Sequence, residues 1–197
     1  MKKYVEIAIV LIAWFALILQ LIILKDSLAN YFSYFTILSN LLVAISLTPK
    51  LLASATSFGK RFSLPKTKSA IALYIFIVGL VYNLVLRGIW EPKGWQLVAD
   101  NLLHVVVPLA YFSYWVVFVN KISLVWKDMI SWTYFPLVYL AYSLIRGYFV
   151  NWYPYPFLDV NKFGYQQVLI NTFFVVLAFI SIGLAMIYYN KLMTRNR

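Results

Sequence analysis

The sequence predicts an all-α fold: a polytopic integral membrane bundle of six transmembrane helices with the N- and C-termini inside. Three observations predict it. Of 197 residues, 63% are hydrophobic and only 12% are charged, and the mean hydropathy is +0.81, values unlike those of soluble domains. The apolar residues gather in six runs, at about 4–24, 32–49, 70–89, 101–120, 129–150 and 165–190. Most of these reach the ~20 residues a helix needs to cross ~30 Å of hydrocarbon. The third observation is the placement of charge. With the N-terminus inside, the inner segments hold Lys2, Lys3, Lys50, Lys60, Arg61, Lys66, Lys68, Lys121, Lys127, Lys191, Arg195 and Arg197. The outer segments hold Lys25, Arg87, Lys93, Arg146 and Lys162, largely offset by Asp26, Glu91, Asp100 and Asp159. Twelve against five is the positive-inside bias. No soluble domain fits in the remaining residues, so 1–197 reads as a single six-helix domain.

The first run follows Lys2-Lys3 and is about 18–20 residues long, beyond the ~7–15 of a signal-peptide core. Ser27-Leu28-Ala29 therefore reads as loop rather than cleavage site, and the first helix is retained. The second run is short, and its continuation through Leu51 and Leu52 past Pro49 completes it. The basic 50–68 segment reads as a topology signal that also touches anionic lipid headgroups. It lacks the aromatic interleaving of a nucleic-acid module, so the net charge of +11 does not imply nucleic-acid binding.

Helices three and five end alike, in Tyr82-Asn83-Leu84-Val85-Leu86-Arg87-Gly88 and Tyr142-Ser143-Leu144-Ile145-Arg146-Gly147. Either this is a diverged parallel repeat, or both use Arg near the helix C-terminus and Gly as its cap. Trp90, Trp95, Trp152, Tyr153 and Tyr155 fall at the expected outer boundary, and Trp126 and Trp132 near the inner one, as aromatic belts do. There are no cysteines, which excludes disulfides and thiol catalysis.

One histidine, His104, lies within the fourth run. Ionisable side chains cost roughly 2.5–3.5 kcal/mol at a bilayer centre on insertion scales, so an intramembrane histidine is by default a functional residue. Helix two brings Thr36, Ser39 and Asn40 on one face, since residues three and four apart are helical neighbours. Arg87 and Arg146 end helices three and five at similar depth. Four helices thus carry polar groups to one layer in the outer half, while the inner halves offer little comparable. Each member also has a structural explanation. Thr36 can bond its own i−4 carbonyl, Asn40 can join helices, and the arginines can reach lipid headgroups. Asp100 can serve as a helix-start charge, and His104 can be a simple hydrogen-bonding residue.

Asp100 lies one turn before His104, where it can fix the tautomer and leave the other ring nitrogen basic. Pro108 has no N–H for the His104 carbonyl, so the helix should kink there. A threonine hydroxyl needs a base to become a nucleophile, and His104 is the conventional base at that depth. The chemistry this suggests is acyl transfer. Asn40, Asn83 or Tyr82 would donate to a tetrahedral oxyanion, and Arg87 or Arg146 would hold an acidic head group. A metal site is not expected, because one His without clustered carboxylates does not make one. No cofactor is implied.

Tyr34-Phe35-Thr36-Ile37-Leu38-Ser39-Asn40-Leu41-Leu42, the His104-to-Pro108 spacing and the loop Tyr153-Pro154-Tyr155-Pro156-Phe157-Leu158-Asp159 form a distinctive set. Together they resemble the androgen-induced and androgen-dependent TFPI-regulating (ADTRP-like) family, in particular a bacterial branch of six-span relatives. The resemblance covers nearly the whole chain in order and spacing of helices. Animal members are multipass threonine hydrolases that cleave fatty-acid esters of hydroxy fatty acids with a paired threonine and histidine. It implies Thr36 as nucleophile, His104 as base, a lipid ester as substrate and a bacterial plasma membrane as location. The Tyr-Pro-Tyr-Pro loop reads either as a cover over the site's outer mouth or as an ordinary belt turn.

Two other classes compete with a hydrolase. A non-enzymatic carrier or receptor would bind a lipid or small anion at the same layer, and would need polar groups through the inner half or a broken helix. A scaffold subunit would use the layer to contact a partner. The topology itself is directly testable in this cysteine-free chain. A single cysteine at Ser57→Cys should react with an impermeant maleimide only after cells are permeabilised; labelling from outside intact cells would invert the arrangement.

Overall fold

The computed structural model describes residues 1–52, 56–89, 91–119 and 124–195. Trp90, Lys121 and Arg197 lie outside them, as do the side chains of 49–52. The described residues are all-helical, with no β-strand. They fall into two compact units, Met1–Ser123 and Leu124–Arg197, where the sequence suggests a single domain.

The first unit opens with α1 (Lys2–Ile22). A one-turn helix, α2 (Leu28–Tyr31), follows because Ser27 caps it, its Oγ accepting the Asn30 N–H at 3.1 Å. The next helix, α3 (Phe35–Leu52), consequently starts three residues later than the run at 32 suggests. The intervening turn is pinned by Tyr31, whose buried hydroxyl donates to the Leu17 carbonyl at 2.8 Å. Burial pushes that hydroxyl up to about 12, so it stays protonated and remains a donor at neutral pH. Thr56 caps α4 (Ser57–Ser63), its Oγ1 accepting from Gly59 N–H at 3.1 Å. Pro65 then begins α5 (Pro65–Val81) at the position where its missing N–H costs nothing.

Both remaining helices of this unit contain one turn of π-helix. After α5 the turn spans Tyr82–Leu86, and the Arg87 N–H reaches back to the Tyr82 carbonyl at 2.8 Å. Helix α6 (Trp95–Asn101) continues through a π-turn, Leu102–Val106, into α7 (Val107–Phe118). The fourth helix therefore starts at Trp95 rather than 101, and Asp100 lies inside it, not at its beginning.

In this unit α1 packs on α3, α3 on α5, α5 on α7 and α7 on α1, a closed ring of four helices. Lys2 Nζ donates to the Phe118 carbonyl at 2.8 Å, while Gln96 Nε2 donates to Gln20 Oε1 at 2.9 Å. These bonds mark the two ends of the bundle and run α7 antiparallel to α1. The middle is apolar and tight, with Ala13, Val43, Ala44, Ala72, Leu73 and Ile75 fully buried. Of these, Ala13, Ala44 and Ala72 let the helices approach closely.

The expectation of an apolar inner half fails at the end bearing Met1. There Glu6 is 2% exposed and Lys68 4% exposed. Tyr114 donates to Glu6 Oε1 at 2.6 Å and receives from Lys68 Nζ at 2.9 Å. Lys68 is thus a buried partner on α5 rather than a solvated loop charge, because α5 begins five residues before the run that starts at 70.

The second unit holds α8 (Asp128–Val150), with Pro136 inside it, and α9 (Val160–Arg195), broken at Gly164. Asn151, at φ 52°, ends α8. Gly147 therefore is not a cap, as its likeness to Gly88 suggests; it lies within the helix, and any Cβ there would collide with the Tyr153 ring. Gly88, at φ 96°, does turn the chain after Arg87. The two similar endings are different devices.

Among the described residues, four helical stretches are long and apolar enough to cross a membrane: Lys2–Ile22, Pro65–Leu86, Trp95–Phe118 and Val160–Met193. Phe35–Thr48 is a shorter apolar helix. The fifth expected span, α8, is not among them; Asp128, Pro136, Ser143 and Arg146 interrupt its apolar character.

Candidate functional site

The site is built where the two π-turns meet the amino end of α3. In the second π-turn the Val107 N–H bonds the Leu102 carbonyl. The next donor in that i+5 register would be Pro108, which has none, so the Leu103 carbonyl is orphaned. Asn40 supplies the missing partner: its Nδ2 donates to Leu103 O at 3.1 Å and to Thr36 O at 2.9 Å. Because the ladder ahead of the proline runs in π steps, its missing N–H is felt at the Leu103 carbonyl. The His104 carbonyl faces Gly79, where an added Cβ would stand 3.2 Å from it and 3.1 Å from Pro108 Cβ. Glycine is what allows α5 to approach this turn.

That arrangement joins α3 to the π-turn and brings Thr36 beside His104. Thr36 Oγ1 lies 3.3 Å from His104 Nε2. His104 Nδ1 lies 2.9 Å from the Asp100 carbonyl oxygen and 3.3 Å from its carboxylate Oδ1. Two acceptors at Nδ1 put the proton there, which leaves the Nε2 lone pair facing the threonine hydroxyl. The other oxygen of Asp100 accepts a hydrogen bond from the Tyr82 hydroxyl. The Tyr82 ring stacks on the imidazole, with centroids 4.1 Å apart and planes 12° from parallel. Thr36 and Asp100 are buried, while the His104 side chain keeps 14% of its exposure.

The expected residues separate into three groups. Thr36, Asn40, Asp100 and His104 come together. Asn83 and Arg87 stand at the same end of the first unit and bond one another, Arg87 Nη1 donating to Asn83 Oδ1 at 2.8 Å. Asn83 Nδ2 is engaged by the Gly79 carbonyl at 2.7 Å, and Arg87 is exposed. Arg146 belongs to the second unit, where its guanidinium lies over the Trp152 ring at 5.0 Å. Of the oxyanion donors suggested by the sequence, Asn40 gives its amide hydrogens to two backbone carbonyls and Tyr82 its hydroxyl to Asp100, while Asn83 gives one amide hydrogen to the Gly79 carbonyl. Tyr82 acts instead as the partner of Asp100 and the stacking surface of His104, a role only its place opposite Asp100 reveals.

Among the described residues no group of three or more His, Cys, Asp or Glu side chains is placed to hold a metal ion. No family model, no curated protein and no solved structure matches the chain.

Removing the Asn40 amide tests this construction. Asn40→Leu leaves the Leu103 carbonyl unpaired and should cost about 1–3 kcal/mol, the penalty of a buried unsatisfied group. Thermal unfolding in lipid nanodiscs reads the loss; unchanged stability would mean the carbonyl has another partner.

Proposed function

We propose that the protein is an integral membrane lipid-ester hydrolase with Thr36 as nucleophile and His104 as its base. The observation that carries the reading is the continuous contact from Thr36 Oγ1 through the imidazole to Asp100. In the first step His104 Nε2 takes the hydroxyl proton as Thr36 Oγ attacks the ester carbonyl carbon. The tetrahedral intermediate then collapses as the imidazolium returns that proton to the leaving alkoxide. A water molecule, deprotonated by the same nitrogen, attacks the acyl-threonine and releases the fatty acid.

Each neighbour has a part in this scheme. Asp100 stabilises the imidazolium and holds its tautomer, and Tyr82 keeps the carboxylate and the ring plane fixed. Thr36 is the second residue of α3, so the positive end of the helix dipole faces the charge that develops on the oxyanion. This role falls to the amino end of α3 because the Asn40 amide is engaged by two backbone carbonyls. Arg87 is exposed at the same end and suits a carboxylate head on the substrate. A fatty-acid ester of a hydroxy fatty acid, or a related lipid ester, fits that combination. With six spans and both termini inside, in a bacterial plasma membrane, this end of the bundle faces the outer leaflet and substrate enters from lipid.

The polar cluster of Glu6, Tyr114 and Lys68 favours a second reading, a carrier or receptor for a lipid or small anion. A carrier also needs polar groups between the layers. On α3 the buried side chains between Asn40 and Ser46 include Val43 and Ala44, and on α7 Val107 and Pro108 lie between His104 and Tyr111. At 1.5 Å per residue this apolar zone is roughly 9 Å long. It supports two separate polar layers over a through-route, and hence the hydrolase.

Thr36→Ala should lower ester turnover by roughly a thousandfold or more with unchanged folding, the scale on which loss of a nucleophile acts. Thr36→Ser should retain part of it. Fluorogenic lipid esters presented in mixed micelles provide the assay, and full activity in Thr36→Ala would remove the residue from the mechanism.

A further inference from the structure

The outer-layer chemistry leaves one cluster of ionisable groups unused, at the opposite end of the four-helix unit. Glu6 comes from α1, Lys68 from α5 and Tyr114 from α7, all at most 4% exposed. Their hydrogen bonds form a line: Lys68 Nζ donates to the Tyr114 hydroxyl at 2.9 Å, and that hydroxyl donates to Glu6 Oε1 at 2.6 Å. Around them, α7 contributes Tyr111, whose hydroxyl lies 3.2 Å from Ser46 Oγ of α3. Ser69 of α5 accepts from Trp115 Nε1 at 2.7 Å. The neighbouring ammonium of Lys2 is exposed and bonded to the Phe118 carbonyl.

We propose that Glu6, Tyr114 and Lys68 form a proton-exchange site, with the Tyr114 hydroxyl carrying a proton between Lys68 and Glu6. The step balances within the triad. An N–H bond of the Lys68 ammonium breaks as its proton joins the Tyr114 oxygen, and the original Tyr114 O–H breaks as its proton joins Glu6 Oε1. A charged pair thereby becomes a neutral amine, an unchanged tyrosine and a carboxylic acid. The neutral amine then accepts a proton from the nearby aqueous phase, so the site has bound one proton, stored on Glu6.

Two physical arguments support this. Taking two charges out of water is expensive, and attraction across low dielectric offsets that cost only with good geometry, so the neutral amine–acid form that the relay creates is accessible as an intermediate. Ionisable groups inside helix bundles also characteristically mark proton relays. Access comes from the near end. Glu6 and Lys68 are the fifth and fourth residues of their helices, about one turn inside. The apolar zone beyond Tyr111 separates the triad from the His104 layer, so this proposal stands or falls independently of ester hydrolysis.

Infrared spectroscopy of the full chain in phosphatidylcholine vesicles tests it. The chain has two glutamates, Glu6 and Glu91, so isotope-labelled glutamate in a Glu91→Gln background reports Glu6 alone without touching the triad. The expected result is a labelled carboxylic-acid C=O band that grows as pH is lowered. After a downward pH jump it should appear severalfold more slowly in Tyr114→Phe, which keeps the ring and removes the relay. Circular dichroism establishes that each variant is folded. A Glu6 carboxylate that stays ionised throughout the pH range of the folded protein would overturn the proposal. So would a band that appears at the same rate in Tyr114→Phe.

Discussion

A single unpaired carbonyl governs the geometry of the candidate site. Within a membrane-spanning helix no water is at hand for an orphaned backbone group, and each one costs several kcal/mol. Pro108 follows a π-turn and leaves the Leu103 carbonyl without its ladder donor. Asn40 answers it from α3, and the same amide also bonds the Thr36 carbonyl. One side chain therefore satisfies the broken helix and sets the register between α3 and the turn carrying His104. The 3.3 Å approach of Thr36 to His104 follows from that register. π-turns recur at functional sites for this reason: they release backbone groups and re-aim side chains together.

The same physics shapes the other end of the unit. Glu6 and Lys68 are buried about one turn inside the ends of their helices, and Tyr114 links them into a hydrogen-bonded line. Between the layers the helices present alanine, valine and leucine at near-zero exposure. Polar groups at both ends with a dry middle make a bundle whose chemistry is confined to two depths. The buried Asp100–Tyr82 hydrogen bond and the stacked imidazole are strengthened by this exclusion of water, since local dielectric sets the worth of each interaction.

Much of the site was legible in the sequence because its signals were local. Asp100, His104 and Pro108 are four residues apart on one helix, and Thr36 and Asn40 four apart on another, so helical spacing alone set out the pieces. Tyr82 could not be assigned its role this way, since its partnership with Asp100 depends on how α5 and α6 pack. The π-turns were equally hidden, because they shift the ladder by one residue without changing the apolar pattern. Helix starts at Phe35, Pro65 and Trp95 departed from the apolar runs because caps and prolines, not hydropathy, decide where a helix begins. That offset concealed Lys68. Glu6 did carry a signal, an acidic residue alone within an apolar run, and its isolation in the sequence could have pointed to a buried partner. Arg146 belongs to the second unit, and the sequence offers only depth to associate it with the site.

The central claim is that His104 activates the Thr36 hydroxyl. A lipid-like fluorophosphonate, applied to the folded protein in bilayers and mapped by mass spectrometry, tests this most directly. The account predicts a covalent phosphonyl adduct on Thr36 that is absent in His104→Ala. Unmodified Thr36 in folded protein whose bound probe is detected by phosphorus NMR, or an adduct that persists in His104→Ala, would contradict it.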